Sequence, residues 1–330
     1  MPRLFWPNFD FEHELGANYN WQPTEKLRQL NARFAAVFGA LCDDGELIVL
    51  PDTSQQQTET KIDSHTIRFV QERIVRESVA FRGPDWKLVP WGVTLSLQEL
   101  AEARGWSWEQ PPVDVVKKLN DRATSFEWEQ ERRTLPDGAT LIESEVALFE
   151  ALKNIPTSRW VIKARFGMSA RERIVGTGTT LTDSQRGWVN KRLVEQGQLF
   201  LEPWLEIESE VGLQFDIPQV GPVKFLAALP LLNSETGEYR GSRLHLTERE
   251  QVIWQPAIQW GQQIAQHAQQ LGYFGPLGID AAQYRQGNEL VLRPVMDINA
   301  RWTMGRMAYE WGQRVGQPKD TEWRIADVAG

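Results

Sequence analysis

The segment formed by residues 277–301 constrains the fold more than any other part of the chain, because it predicts a β-hairpin. Two apolar stretches flank Gly287-Asn288, and both of these residues tolerate the positive φ angles of a two-residue hairpin turn. That turn would set Asp280 opposite Val295, with Asp297 as its diagonal neighbour on the same face of the sheet. The pattern therefore predicts that two carboxylates lie close together on adjacent strands.

Two further polar residues extend this pattern. Asn299 follows Asp297 on the same face because side chains in a strand alternate with a period of two, and Arg301 lies just beyond. Hard oxygen ligands of this kind suit Mg²⁺, especially when phosphates complete the coordination shell. An isolated Asp-x-Asn can also simply cap a sheet or pair with an arginine. The rest of the chain has to decide between a metal site and a sheet cap.

Composition limits the classes of protein to consider. A chain of 330 residues can bury a large core and suggests about two domains. The net charge of −8, without a cluster of Lys or Arg, does not indicate a nucleic-acid partner. The single cysteine, Cys42, excludes an intrachain disulfide and a cysteine-based metal site. No apolar run approaches ~18 residues and no signal-peptide pattern is present, so we expect a cytoplasmic protein without a membrane partner.

The first third of the chain alternates strand and helix patterns. This alternation predicts a small α/β domain with a mainly parallel sheet, over residues 1–112, ending at the Pro-rich bend Gln110-Pro111-Pro112. The predicted strands are 3–9, 46–51 and 87–93, and the predicted helices are 25–41, 62–75 and 97–104.

The remainder, residues 113–330, has the pattern of an α+β domain with antiparallel sheets. Its predicted strands, besides the hairpin, are 159–165, 199–205, 209–217 and 223–232. Its predicted helices are 113–133, 143–154, 183–196, 248–271 and 303–315.

Lys163 lies on a predicted strand just before a polar loop, residues 166–172. A strand lysine beside mobile backbone amides can clamp a phosphate, with the ammonium as a point charge and the N–H groups as a nest. Gly167 and Ser169 would let the backbone close on the phosphates. A solvated basic loop is the alternative interpretation. Under both interpretations, three nearby arginines add positive charge to the loop: Arg165, Arg171 and Arg173.

The sequence Glu202-Pro203-Trp204-Leu205 ends a predicted buried strand and leads into an acidic stretch. Backbone groups that leave a sheet there can hydrogen-bond the edge of an adenine, and Trp204 offers apolar surface. Pro203 has no N–H, so the backbone donor would be Leu205. Glu208 or Glu210 could accept hydrogen bonds from ribose hydroxyls, and we favour Glu210, which begins the next strand. A strand end with a surface acidic patch fits the same residues.

Taken in order, these motifs resemble the ATP-grasp superfamily, in particular the D-alanine–D-alanine ligase-like carboxylate–amine ligases. In that family a strand lysine precedes a phosphate loop, a Glu-x-Trp-Leu linker binds adenine, and an Asp followed by Glu-x-Asn binds Mg²⁺. The resemblance covers about residues 113–315 and implies an α/β N-terminal domain followed by an α+β ATP-grasp fold. The nucleotide-binding lobe would span about 113–205 and the metal-binding lobe about 206–330.

The resemblance also implies two cofactors, ATP and Mg²⁺, and assigns residues to each. The residues expected to bind ATP are Lys163, Ser169, Glu202, Trp204, Leu205 and Glu210, with Lys118 as a second phosphate lysine. Lys117 and Arg122 are alternatives to Lys118. The expected Mg²⁺ ligands are Asp280, Asp297 and Asn299. The chain departs from the family in having Asp297 where Glu is usual and in having few glycines in the phosphate loop.

The implied activity is ATP-dependent ligation, in which a carboxylate becomes an acylphosphate and an amine then displaces phosphate. Arg301 is the candidate for stabilising the transferring phosphoryl group, and Arg306 for binding the substrate carboxylate. A small-molecule kinase and a non-catalytic nucleotide-binding protein remain alternatives. The expected partners are small-molecule carboxylate and amine substrates, and a homo-oligomer is compatible with the sequence. The acidic-aromatic residues 9–14 either line a substrate pocket or form a solvated loop, the simpler expectation.

Overall fold

A computed structural model describes residues 1–17, 21–52, 59–62, 65–167, 172–234, 237–316 and 321–327. Its N-terminal layer contains strands and helices that alternate along the chain. These elements are β1 Arg3–Trp6, α1 Phe11–Gly16, α2 Glu25–Phe34, β2 Leu47–Leu50, β3 Glu59–Ile62, β4 His65–Gln71, α3 Glu72–Glu77, β5 Lys87–Pro90 and α4 Leu95–Arg104, with 3₁₀ turns at Ala35–Ala40 and Val79–Phe81.

The N-terminal strands form a five-stranded sheet in the order β3-β4-β2-β1-β5, parallel except for β3. The predicted mainly parallel sheet is confirmed, but the predicted helix over 62–75 is wrong. Ile67 and Phe69 are buried between the exposed Thr66 and Arg68, which is the period of a strand. Residues 65–71 therefore pair with β2, and the helix begins only at Glu72.

The second layer is a four-stranded antiparallel sheet, ordered β6-β9-β7-β8, with helices packed against it. Its helices bury Leu148 and Val189 against Trp160 and Leu201 of the strands. The elements are α5 Val113–Asn120, α6 Arg122–Arg132, β6 Thr140–Ile142, α7 Glu145–Asn154, β7 Arg159–Ala164, β8 Arg173–Thr177, α8 Asp183–Gln196 and β9 Leu199–Pro203.

The single helix predicted over 113–133 is two helices in the structure. Asp121 interrupts it with extended backbone, and its side chain accepts a hydrogen bond from the N–H of Ala123. Asp is a favoured N-cap residue, so it can end one helix and begin another. The break matters because it turns α6 toward the largest sheet, which it contacts at Arg293.

The third layer is a six-stranded antiparallel sheet with two helices, α9 and α10, packed against it. Its elements are β10 Glu206–Ile217, β11 Lys224–Asn233, β12 Tyr239–Arg243, α9 Glu248–Gln270, β13 Gly275–Gln286, β14 Glu289–Asn299, α10 Met304–Arg314 and β15 Glu322–Arg324, followed by a 3₁₀ turn at Ile325–Asp327. The strand order is β14-β13-β10-β11-β12-β15. One buried cluster joins this layer to the first, since it includes both Phe38 and Phe215. Among the helices of the described ranges, none has the length and apolar character needed to cross a membrane.

The hairpin β13–β14 has the predicted turn but not the predicted register. Gly287 has a φ of 62° and Gln286 pairs with Glu289, as a two-residue loop requires. Farther from the turn the register shifts, so Asp280 lies opposite Asp297 and not opposite Val295. Pro294 lies within the shifted segment and has no N–H for the ladder, which explains the interruption. The shift brings the two carboxylates directly across from each other.

Candidate active site

The three predicted metal ligands come together at the end of the hairpin. Asp280 and Asp297 are directly opposed, and the side-chain amide of Asn299 donates to Asp280 Oδ2 over 3.1 Å. Arg122 Nη2, from α6, donates to Asp297 Oδ2 over 3.3 Å. Burial, and next the negative charge of Asp297, raise the pKa of Asp280 to about 7. The site therefore has excess negative charge that a cation would offset.

The donor set fits a hard divalent cation that brings further ligands of its own. Asp280, Asp297 and Asn299 offer oxygen atoms, the donors that Mg²⁺ prefers. The described residues contain no group of three or more His, Cys, Asp or Glu side chains arranged to enclose a metal. Two carboxylates and one amide leave up to half of an octahedral shell to other ligands, as expected where phosphate oxygens and water complete it.

Lys163 forms a buried ion pair with a second predicted site residue. Its Nζ lies 2.7 Å from Glu202 Oε2, across the neighbouring strands β7 and β9. Burial lowers the pKa of Lys163 although Glu202 opposes this. Burial also disfavours the ionised form of Glu202, but Arg293 and Lys163 outweigh it and hold the pKa of Glu202 well below its usual range. Glu202 is therefore a carboxylate that fixes the position of the lysine ammonium.

Sequence reasoning missed the other half of this network, Arg293 and Glu129. Arg293 donates to Glu202 over 2.9 Å and, through Nε and Nη2, to Glu129 over 2.7 and 2.6 Å. Its side chain is 2% exposed and that of Glu129 is 1% exposed. The sequence does contain one indication of this network, an arginine within a predicted apolar strand. Because buried charges are almost always paired, such an arginine indicates an acidic partner. The network joins α6, the four-stranded sheet and the six-stranded sheet.

Strand β9 ends at Pro203, two residues before the predicted end, so Trp204 and Leu205 lie in the linker to β10. The N–H of Trp204 donates to the carbonyl of Arg159 over 2.9 Å, and the Arg159 guanidinium lies 3.9 Å from the Trp204 ring centroid. Leu205 lies in the linker, outside both strands. Trp204 is thus held in place by Arg159, a residue of β7.

The structure separates the two candidates for a ribose contact. Glu208 is half-exposed and pairs with Arg285 over 3.0 Å, away from the lysine. Glu210 accepts a hydrogen bond from Asn233, and its charge acts on Asp280. It also lies two residues before Gly212, the partner of Asp280 on the adjacent strand. This placement favours Glu210 over Glu208.

Arg301 connects the metal-ligand end of the hairpin to the N-terminal layer. Its Nη2 donates to Asn299 Oδ1 over 2.7 Å, and its Nε donates to Glu12 Oε1 over 3.1 Å. Glu12 lies on α1 and is buried, as is Asp10 just before that helix. The solvated loop expected for residues 9–14 is therefore wrong: the segment enters a helix that packs against the candidate site.

Comparisons with known proteins give a clear result at the level of structure. No family model and no curated protein matches the sequence. The biotin carboxylase domain of Hydrogenobacter thermophilus 2-oxoglutarate carboxylase, solved with MgADP, ADP and bicarbonate, matches over 99% of this chain and 72% of its own, with a TM-score of 0.58 and 14% identity. The chain has the ATP-grasp fold.

Two further solved structures support this assignment of the fold. N5-carboxyaminoimidazole ribonucleotide synthetase from Thermus thermophilus matches over 98% of this chain and 81% of its own, with a TM-score of 0.53 and 15% identity. The Aspergillus clavatus synthase, solved with ADP and 5-aminoimidazole ribonucleotide, matches over 99% and 79%, with a TM-score of 0.53 and 10% identity. The predicted fold class, an α/β N-terminal part followed by an ATP-grasp fold, is confirmed.

Within the ATP-grasp fold, the remaining predicted residues are placed as follows. Lys118 is exposed on α5, whereas Arg122 donates both to the carbonyl of Ala164, next to Lys163, and to Asp297. Arg122 is thus the cation from this helical region that reaches the hairpin. Arg306 donates to Glu310 over 2.6 Å and to the carbonyl of Phe215 over 3.3 Å, so its guanidinium is engaged by α10 and β10. Ser169, in the phosphate loop, lies outside the described residues.

Proposed function

We propose that this protein is an ATP- and Mg²⁺-dependent ligase that activates a small-molecule carboxylate as an acylphosphate for attack by an amine. The observation that carries the proposal is the convergence of the Lys163–Glu202 pair and the opposed carboxylates Asp280 and Asp297 on an ATP-grasp fold. Solved structures with this fold hold ADP, and one holds MgADP together with bicarbonate.

In the proposed complex, Lys163 and Arg122 offset the negative charge of the phosphates from one side. Lys163 is a point charge held by Glu202, and Arg122 bridges the strand of Lys163 to Asp297. Trp204 covers the adenine, the N–H of Leu205 donates to its edge, and Glu210 accepts from the ribose. Asp280, Asp297 and Asn299 would hold Mg²⁺, which would neutralise charge on the phosphate oxygens.

Arg301 and Arg306 differ in how readily each could contact a substrate. Arg301 lies beside the metal ligands, where it can stabilise charge on the transferring phosphoryl group. Arg306 would bind the substrate carboxylate only by exchanging its contact with Glu310 for one with the substrate. Lys118 is exposed, and it would reach a phosphate only by extending its side chain from the surface of α5.

The proposal is tested by ADP release from MgATP against a panel of carboxylates, including bicarbonate, with and without amines. We expect carboxylate-dependent ADP release, capture of the acylphosphate by hydroxylamine, and a further rise with the correct amine. Asp297→Ala should abolish release without unfolding the protein, whereas Asp183→Ala, on the exposed first turn of α8, should not change it. A stable phosphorylated product without amine dependence would indicate a kinase, and MgATP binding without turnover would indicate a non-catalytic protein.

A further inference from the structure

The N-terminal layer surrounds the candidate catalytic arginine. The Arg301 guanidinium carbon lies 5.8 Å from the ring centroid of Phe11 and 5.9 Å from that of Trp91, and Glu12 accepts from its Nε. The backbone continues the contact, because the N–H of Trp302 donates to the carbonyl of Trp91 over 3.2 Å. Arg301 is therefore held by the N-terminal layer as well as by Asn299 at the end of β14.

The hydrogen bonds of Arg301 leave part of its guanidinium available. A guanidinium has five N–H groups. Three of them donate, from Nε to Glu12 over 3.1 Å, from Nη1 to the carbonyl of Trp302 over 3.0 Å, and from Nη2 to Asn299 over 2.7 Å. One N–H on each terminal nitrogen therefore remains without an acceptor within the described part of the chain. Such a pair matches two oxygen atoms of a carboxylate or a phosphoryl group.

The ion pair between Glu12 and Arg301 is better suited to orientation than to stability. The Glu12 side chain is 8% exposed and that of Arg301 is 15% exposed, so both charges are largely removed from water. The cost of desolvating a buried pair commonly matches or exceeds its Coulombic gain. The effect of the pair is on orientation. Because Nε is bound to Glu12, the guanidinium cannot rotate freely, and its outer edge has a fixed direction.

We propose that Glu12 is a positioning residue that aims the two remaining N–H groups of Arg301 at the oxygen atoms of the reacting phosphoryl or carboxylate group. The proposal rests on the proposed function above. It makes α1 part of the active site. It also gives Glu12, in the acidic-aromatic segment 9–14, a role other than binding a substrate amine.

The test compares Glu12→Gln with a matched control in the full-length protein. Glutamine keeps the shape and one acceptor oxygen but removes the charge. Glu14→Gln makes the same change two residues later on α1, where the carboxylate accepts from the N–H and hydroxyl of Ser96 over 3.1 and 3.0 Å. The readouts are kcat and KM for ADP release with the carboxylate probes above, the Kd for MgATP, and the melting temperature.

We expect Glu12→Gln to lower kcat by about tenfold or more, since small misplacements of a catalytic group cost on the order of this factor or above. The Kd for MgATP should change by less than about twofold because Lys163 and the adenine linker are untouched. Glu14→Gln should behave as wild type. Glu12→Asp, which keeps the charge, should restore part of the rate. In an Arg301→Lys background, Glu12→Gln should have little further effect, because its action passes through the guanidinium.

Four results would overturn the inference. Wild-type kcat in Glu12→Gln, or an equal loss in Glu14→Gln, would show that the pair does not position Arg301. An undiminished effect in the Arg301→Lys background would show that Glu12 acts by another route. A parallel fall in kcat, MgATP affinity and melting temperature would indicate a structural role only. A wild-type protein that releases no ADP under any condition would instead refute the proposed function itself, and this inference with it.

Discussion

Replacing Arg293 with methionine should remove the centre of the buried ionic network. Arg293 makes two hydrogen bonds to Glu129, over 2.7 and 2.6 Å, and two to Glu202, over 2.9 and 3.2 Å. Its removal leaves two buried carboxylates with Lys163 as the one remaining cation of the network. Breaking a buried pair by removing one partner typically costs about 3–5 kcal/mol. We expect Arg293→Met to lower the free energy of unfolding by about that amount.

A compensating second substitution separates loss of charge balance from loss of packing. Arg293→Met combined with Glu129→Leu removes one positive and one negative charge and leaves the Lys163–Glu202 pair, 2.7 Å apart, intact. Replacing a buried ion pair by apolar side chains of similar size is often close to neutral. The double variant should therefore recover most of the stability that Arg293→Met loses.

The assay is urea-induced unfolding near neutral pH, with Arg285→Met as the control. Arg285 also pairs with a glutamate, Glu208, over 3.0 Å, but both side chains are 46% exposed. Exposed ion pairs contribute about 0–1 kcal/mol, so the control should lose little. The reasoning is refuted if Arg293→Met loses no more stability than Arg285→Met, or if the double variant loses at least as much as Arg293→Met.

Three further predictions concern ligand binding and pH. Lys163→Met should weaken MgATP binding by about tenfold or more because a buried phosphate-binding charge is lost. The control Lys153→Met, which removes an exposed ion pair on α7, should leave MgATP binding unchanged. If calorimetry gives the two variants the same affinity for MgATP, Lys163 is not part of the site. Arg122→Gln should also weaken the binding of MgATP. An unchanged Kd would instead favour Lys118 as the second phosphate-binding cation. Burial raises the pKa of Asp280 to about 7, so its contribution to the stability of the metal-free protein is present at low pH and is lost as pH rises through that value. Urea unfolding at about pH 5 and about pH 8 should show this loss in the wild type and not in Asp280→Asn; the same loss in both would contradict it.

The parts of the fold predicted from sequence were those specified by local pattern. Residues 183–196 form a helix within the predicted bounds because Thr182 and Gln185 make a capping box that the sequence contains. The hairpin turn was specified by Gly287-Asn288 in the same way. Local pattern failed where pairing with a distant strand decided the outcome, as for β4, or where a proline shifted the register, as at Pro294.

The candidate site was predictable as a set of residue types in order, but not as a network. Lys163, Glu202, Asp280 and Asp297 could be named because each lies on a strand that the sequence pattern predicts. The partners Glu129 and Glu12 could not, because their contacts with Arg293 and Arg301 join residues 164 and 289 positions apart in the chain. Such contacts depend on how the layers pack against each other, which no local spacing encodes.

The most direct test of the central claim is calorimetric titration of ATP, with and without Mg²⁺, into the wild type and Asp297→Ala. We expect the wild type to bind ATP more tightly when Mg²⁺ is present, and Asp297→Ala to lose this dependence while its free energy of unfolding is maintained. Absence of ATP binding in the wild type, or an undiminished Mg²⁺ dependence in Asp297→Ala, would contradict the assignment of this hairpin as the metal end of an ATP site.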